Sequence, residues 1–289
     1  MSTPTSLGLP EGARRAAVET VRGEFAVLDA MPAAGPSELG TALLVPGYTG
    51  SKEDFIAILG QLAAAGRRVI AVDQRGQNQT AGPDDPDAYD LRELGADVTA
   101  LVEATKATHL LGHSFGGLVV REAVIGGCSP VSLTLMSSGP AALPGARAEE
   151  LHFMLNYLDG TPTAALPAKV AEIWAGVLKP EAVAAGVTHP VMAFLEERML
   201  ANNPTGLVTM ATHLLKAEDK TAELAARGIP TFVLYGEDDN AWPTSQQAEM
   251  AEQLGAERTC IPSAAHNPNV EAPATTAHAL TKFWNANER

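Results

Sequence analysis

Short runs of uninterrupted apolar residues alternate along this chain with longer stretches in which apolar positions recur every three or four residues. The first kind comprises "TALLVPG" (41–47), "RRVIAVDQRG" (67–76), "THLLGHS" (108–114), "VSLTLMSSG" (131–139), "PTFVLYGEDD" (230–239) and "ERTCIPS" (257–263). Runs of this length, apolar at consecutive positions, suit strands covered on both faces. The second kind comprises "KEDFIAILGQLAAAG" (52–66), "DLRELGADVTALVEAT" (90–105), "FGGLVVREAVIGG" (115–127), "SQQAEMAEQLG" (245–255) and "APATTAHALTKFWNAN" (272–287). Their spacing predicts helices. Strand, helix, strand in this rhythm requires crossover connections and therefore an α/β fold with a mostly parallel sheet flanked by helices. An earlier stretch, "AAVETVRGEFAVLDA" (16–30), alternates and predicts a hairpin ahead of the first crossover.

The rhythm breaks once. From about Gly139 to Gly228 no strand pattern appears, and helix-like pieces take its place: "GARAEELHFMLNYL", "ALPAKVAEIWAGVL", "HPVMAFLEERMLAN" and "TGLVTMATHLLKAEDKTAELAARG". The chain is thus read as a core of residues 1–138 and 228–289 interrupted by a helical insertion, 139–227.

Composition narrows the class further. With 289 residues, 46% apolar and 19% charged, the chain can bury a self-sufficient core. A formal net charge of −14 argues against a phosphate-backbone partner or an anionic membrane surface. No nucleic-acid or membrane partner is expected, and no stretch approaches the ~18 apolar residues of a spanning helix. The opening residues "MSTPTSLGLPEG" lack the apolar run of a signal peptide and are expected to be flexible, with the protein in the cytoplasm. Two cysteines, Cys128 and Cys260, are expected as buried free thiols.

The candidate chemistry sits in "GHSFGG". Gly112, Ser114 and Gly116 satisfy G-x-S-x-G between an apolar strand and a helix. A serine on a sharp strand-to-helix turn needs small neighbours, and the helix that follows aims its N-terminal amides at the reacting group. A nucleophilic serine also needs a base and an acid to orient that base. Downstream, "YGEDDNAWP" places Glu237, Asp238 and Asp239 at the end of a strand, and "RTCIPSAAHNPNVEAP" places His266 in the loop after the next. For the oxyanion of acyl transfer, the backbone N–H of Phe115 is one expected donor.

Four blocks in this order resemble the α/β-hydrolase family, in its serine-nucleophile branch with a helical lid. "VPGYTGS" is similar to the family's H-G-x-x-G-S loop, with Pro46 in place of the histidine. "VDQRGQNQT" resembles D-x-R-G-x-G-x-S, with Asn78 and Thr80 in place of glycine and serine, and "GHSFGG" matches the elbow. The acid loop resembles G-x-x-D-x-x-x-P, which Gly236, Asp239 and Pro243 fit, so the resemblance selects Asp239. It further implies a Ser114–His266–Asp239 triad, a second oxyanion donor at the Tyr48 amide, and no metal or other cofactor. The Tyr48 side chain, Met154, Trp174 and Trp242 are candidates to line the pocket. Asp73 and Arg75 are read as a charged pair bracing the loop, and His113 as structural.

The resemblance implies a serine hydrolase for a small apolar or acyl substrate such as an ester or lactone. Relatives with the same triad also cleave carbon–carbon bonds, make peracids or catalyse eliminations, and the "PGYTGS" loop is similar to that of lyases in menaquinone synthesis. Some members of the fold only bind small molecules. Epoxide hydrolases and haloalkane dehalogenases place aspartate where Ser114 stands. Nothing in the sequence bears on oligomeric state.

Overall fold

A computed structural model describes residues 2–33, 35 and 39–288; Met1 and Arg289, which close the core ranges expected above, lie outside them. The strands are β1 (Ala13–Thr20), β2 (Gly23–Ala30), β3 (Thr41–Val45), β4 (Val69–Val72), β5 (Ala107–His113), β6 (Ser132–Met136), β7 (Thr231–Gly236) and β8 (Glu257–Ile261). They form one eight-stranded sheet in the order β1-β2-β4-β3-β5-β6-β7-β8. The expected hairpin is β1–β2, which joins β4 antiparallel, and every pairing from β4 to β8 is parallel.

The unbroken apolar runs are explained by burial on both faces. In β3, Leu43 and Val45 belong to the core on the face of the sheet covered by α2 (Leu91–Thr105), α3 (Phe115–Ile125) and α10 (Thr244–Leu254). Ala42 and Leu44, pointing the other way, pack with α1 (Ile56–Ala64) and α12 (Pro273–Ala286). A short helix, α11 (Pro268–Glu271), precedes α12. The sheet edges are half exposed. Cys128 is buried as expected, but Cys260 is exposed because β8 is an edge strand with only one covered face. Both thiols are free.

Between β6 and β7 the described chain is helical: α4 (Gly145–Leu158), α5 (Leu166–Ile173), α6 (Lys179–Ala184), α7 (His189–Ala201), α8 (Pro204–Lys216) and α9 (Thr221–Ala225). The stretch expected as one helix over 165–178 instead ends α5 at Ile173 and widens into a π-helical turn, Trp174–Leu178. Pro180 supplies the reason, since it lacks an N–H and its ring crowds the carbonyl four residues back. The stretch 205–228 likewise divides into α8 and α9. Val170, Trp174, Val191, Leu195, Met199 and Leu207 form a separate apolar cluster, while Met210, Leu214 and Leu224 join the main core.

The opening segment packs instead of standing clear of the fold. Leu7 lies against the helical cluster, Leu9 against the face of the sheet covered by α1, and the Ser2 carbonyl accepts a hydrogen bond from Arg198 Nη2 at 2.6 Å. No helix among the described residues is long and apolar enough to cross a membrane.

Candidate active site

Ser114 stands between β5 and α3 with φ 54° and ψ −122°, a left-handed conformation that costs about 1–3 kcal/mol for a residue with a side chain. Two backbone bonds hold it there. The Ser114 N–H donates to the Met136 carbonyl on β6 at 2.9 Å, and its carbonyl accepts from the Gly117 N–H at 2.8 Å. The flanking glycines are required by crossing backbone. A Cβ on Gly112 would strike the Gly116 carbonyl, and one on Gly116 would strike the carbonyl oxygens of Val45 and Pro46. Gly116→Ala is therefore expected to destabilise the fold by about 3 kcal/mol or more, read from a urea or thermal melt.

His266 reaches the serine from the loop after β8. Its Nε2 lies 2.9 Å from Ser114 Oγ and its Nδ1 lies 3.0 Å from Asp239 Oδ1. An ionised carboxylate can only accept, so Nδ1 carries the proton and Nε2 offers its lone pair to the serine hydroxyl. Asp239 Oδ1 also accepts from the Ala241 N–H at 2.9 Å, and Oδ2 from Gln247 Nε2 at 3.0 Å. Burial works to raise this carboxyl, but the hydrogen bond and charge of His266, with those two donors, outweigh it and hold Asp239 below the usual carboxylate range. Glu237 and Asp238 face solvent and do not touch His266.

His113 braces the same loop from beneath. It is 2% exposed, its ring packs against His266 with centroids 5.2 Å apart, and its Nε2 donates to the His266 carbonyl at 2.8 Å. Burial, reinforced by the neighbouring His266, pushes it down from 6.5 to about 4. The unfolded chain therefore takes up a proton at this residue below about 6.5 that the folded protein refuses until about 4. Its contribution to stability is complete above that window and shrinks by up to about 3 kcal/mol as the pH falls through it. His113→Gln is expected to flatten the pH dependence of stability between pH 4 and 6.5, checked by melts across that range.

The loop after β3 crosses Ser114. A Cβ built on Gly47 would lie 3.0 Å from Ser114 Cβ and 3.4 Å from its Oγ. The amides of Tyr48 and Phe115 are engaged by no other backbone or side-chain acceptor among the described residues. Two residues that sequence reasoning passed over hold this loop: Gln74 Nε2 donates to the Pro46 carbonyl at 2.9 Å and Gln77 Nε2 to the Gly47 carbonyl at 3.1 Å. Asp73 does not pair with Arg75 as expected. It takes the Lys52 ammonium at 2.6 Å, whereas Arg75 binds Asp97 on α2. β4 ends at Val72 and the chain turns at Arg75 and Gly76, which carries the two charges to different neighbours.

Ser114 and His266 open into a cavity of about 490 Å³. Tyr48, Leu151, Phe153, Met154, Val177 and Met199 line its apolar part, with the Tyr48 hydroxyl 3.6 Å from Met154 Sδ. Burial pushes the Tyr48 phenol above its ordinary value. Trp174 and Trp242, expected on the wall, are not part of it. Trp174 fills the helical cluster, and the fully buried Trp242 packs over Gly139, with its Nε1 donating to the Ala141 carbonyl at 3.2 Å. His152, His189 and His213 also lie off the cavity wall. Among the described residues no group of three or more His, Cys, Asp or Glu side chains is placed to hold a metal ion.

This sheet order, with an elbow after β5 and acid and histidine loops after β7 and β8, belongs to a hydrolase class of fold. Residues 42–279 match the alpha/beta hydrolase family, and the chain belongs to it. It is similar to a proline iminopeptidase of Levilactobacillus brevis, 27% identical over 277 residues that cover 87% of this chain and 90% of that protein. Among solved structures it is similar to a thermophilic esterase from Thermogutta terrifontis (TM-score 0.71, 21% identity, 96% of this chain and 100% of that one). It is also similar to the enol-lactonase from Burkholderia xenovorans LB400 (TM-score 0.71, 19% identity, 93% of this chain and 100% of that one). At these identities the structural likeness establishes the shared fold.

Proposed function

We propose that this protein is a serine hydrolase that cleaves a carboxylic ester, lactone or related acyl compound through an acyl-enzyme. The observation that carries the reading is the unbroken line from Asp239 through His266 to Ser114 Oγ, at 3.0 and 2.9 Å, ending at a largely apolar cavity. Ser114 attacks the carbonyl carbon while His266 Nε2 takes its proton, and Asp239 offsets the imidazolium charge. The Tyr48 and Phe115 amides hold the oxyanion. The carbonyl re-forms, the leaving group departs with the proton from His266, and water then repeats the sequence to release the acid.

The helices between β6 and β7 act in this reading as a lid over residues 139–227. They contribute Met154 and Phe153, and with Tyr48 these hold the apolar part of the substrate. The names of the esterase and the enol-lactonase agree with ester or lactone chemistry, and that of the iminopeptidase raises amide cleavage as the alternative to test.

The test is a ladder of nitrophenyl esters from acetate to palmitate, run beside a prolyl naphthylamide. Ester turnover with a clear chain-length optimum is the expected result. A prolyl amide cleaved with higher kcat/KM than every ester would replace the reading with peptidase activity. Ester-inert protein that still reacts at Ser114 with a fluorophosphonate would point to carbon–carbon cleavage or elimination.

A further inference from the structure

The loop that crosses Ser114 has Pro46 where the H-G-x-x-G-S pattern it resembles has histidine, and Pro46 has no side-chain donor with which to fix it. Two glutamines from the loop after β4 reach it instead. Gln77 is 1% exposed, and its Nε2 donates at 3.1 Å to the Gly47 carbonyl, which also accepts from the Gly50 N–H at 3.1 Å within the loop's own turn. That carbonyl belongs to the same planar unit as the Tyr48 N–H. In a trans peptide the C=O and N–H point in opposite directions, so pinning the oxygen on one side fixes the N–H on the other. Gly47 lies against Ser114, so the free N–H of this peptide is held beside the nucleophile. Gln74, 4% exposed, fixes the preceding peptide through the Pro46 carbonyl in the same way.

We propose that Gln77 is a positioning residue for the oxyanion site, setting the direction of the Tyr48 amide through the Gly47 carbonyl. The assignment rests on the serine-hydrolase reading above and adds to it a residue that touches neither substrate nor triad. Its place in the fold explains why an amide side chain suits the position. The neighbouring peptide offers an acceptor, and the second contact of Gln77 Nε2 is Met210 Sδ at 3.8 Å, also an acceptor. The site uses only the donor half of this amide, since Gln77 Oε1 is buried with no hydrogen-bond partner. Gln77 itself is anchored by its backbone, whose N–H donates to the Gln74 carbonyl at 2.9 Å and whose carbonyl accepts from the Thr80 N–H at 3.0 Å.

A positioning role differs from a packing role in what it affects. Tilting the Tyr48 amide weakens binding where negative charge develops and leaves binding of a neutral carbonyl compound nearly unchanged. A matched pair of ketones separates the two. In an alkyl trifluoromethyl ketone the carbonyl carbon accepts Ser114 Oγ, His266 takes the serine proton, and the carbonyl oxygen becomes an oxyanion in the hole. The corresponding methyl ketone binds without adding.

The experiment compares wild type with Gln77→Met, which keeps the volume and removes the donor, and with Gln77→Asn as a second variant that keeps an amide. Adduct formation is followed by fluorine NMR and inhibition constants are measured for both ketones. Gln77→Met is expected to weaken the trifluoromethyl ketone by about 10- to 100-fold, short of the roughly 100- to 1000-fold for loss of a donor outright. Its kcat/KM on a nitrophenyl ester should fall by the same factor, with the methyl ketone changed less than about twofold. Gln77→Asn should show the same divergence between the two ketones at smaller size. Equal weakening of both ketones, or unchanged affinity for both, would overturn the assignment while leaving the hydrolase reading intact. Wild type that forms no adduct at Ser114 would overturn both together.

Discussion

Ser114→Ala is expected to lower kcat by about 10⁶-fold on any ester the protein turns over, the scale on which a triad nucleophile acts. Substrate affinity should hardly change. The hydroxyl donates to His266 Nε2 and makes no bond that supports the backbone, because the elbow is held by the Ser114 N–H and carbonyl, which alanine keeps. Alanine tolerates φ 54° no better than serine, so the strain carries over and the melting temperature should stay close to that of wild type. Steady-state kinetics with a thermal melt checks both halves. Residual activity above about 1% in a folded variant would remove Ser114 from the mechanism.

Asp239→Asn is expected to cost about 10⁴-fold in kcat. The carboxylate accepts three hydrogen bonds, from His266 Nδ1, the Ala241 amide and Gln247 Nε2. An asparagine oxygen can serve one side only. If it stays with Ala241 and His266, the amide nitrogen meets Gln247 as donor against donor. If it turns toward Gln247, its N–H₂ faces His266 Nδ1 and forces the proton to Nε2, where the ring can no longer accept from Ser114. Either way the negative charge that offsets the imidazolium is gone. The variant should also lose the acid limb that Asp239 contributes to stability. The native carboxyl sits below its ordinary value, so its contribution is present above that value and fades as the pH falls through the native one. A kcat within tenfold of wild type would mean that another group orients His266.

The parts of this site that could be read from the sequence are those with a local signature. Buried parallel strands announce themselves as unbroken apolar runs, and the elbow by glycines that the crossing of β3 and α3 demands. The resemblance then picked Asp239 out of three adjacent acids, and the structure brings that one to His266. What escaped has no such signature. Gln74 and Gln77 act on carbonyls 28 and 30 residues away, and Gln247 on a carboxylate across a turn. A lone polar residue in a loop shows nothing of a partner that only the fold supplies. Trp174 misled in the opposite sense, since a large apolar residue on an inserted helix looks the same from sequence whether it faces a ligand or, as here, the helices beside it. Lys52 likewise carries no local sign that it is 1% exposed and closes onto Asp73.

The central claim is that Ser114 is a nucleophile activated by His266 and Asp239. Its most direct test is reaction with a fluorophosphonate, followed by digestion and mass mapping of the modified peptide. One adduct per chain is expected, on Ser114, forming at a rate sharply reduced in Asp239→Asn. Modification elsewhere, or a rate indifferent to Asp239, would contradict it.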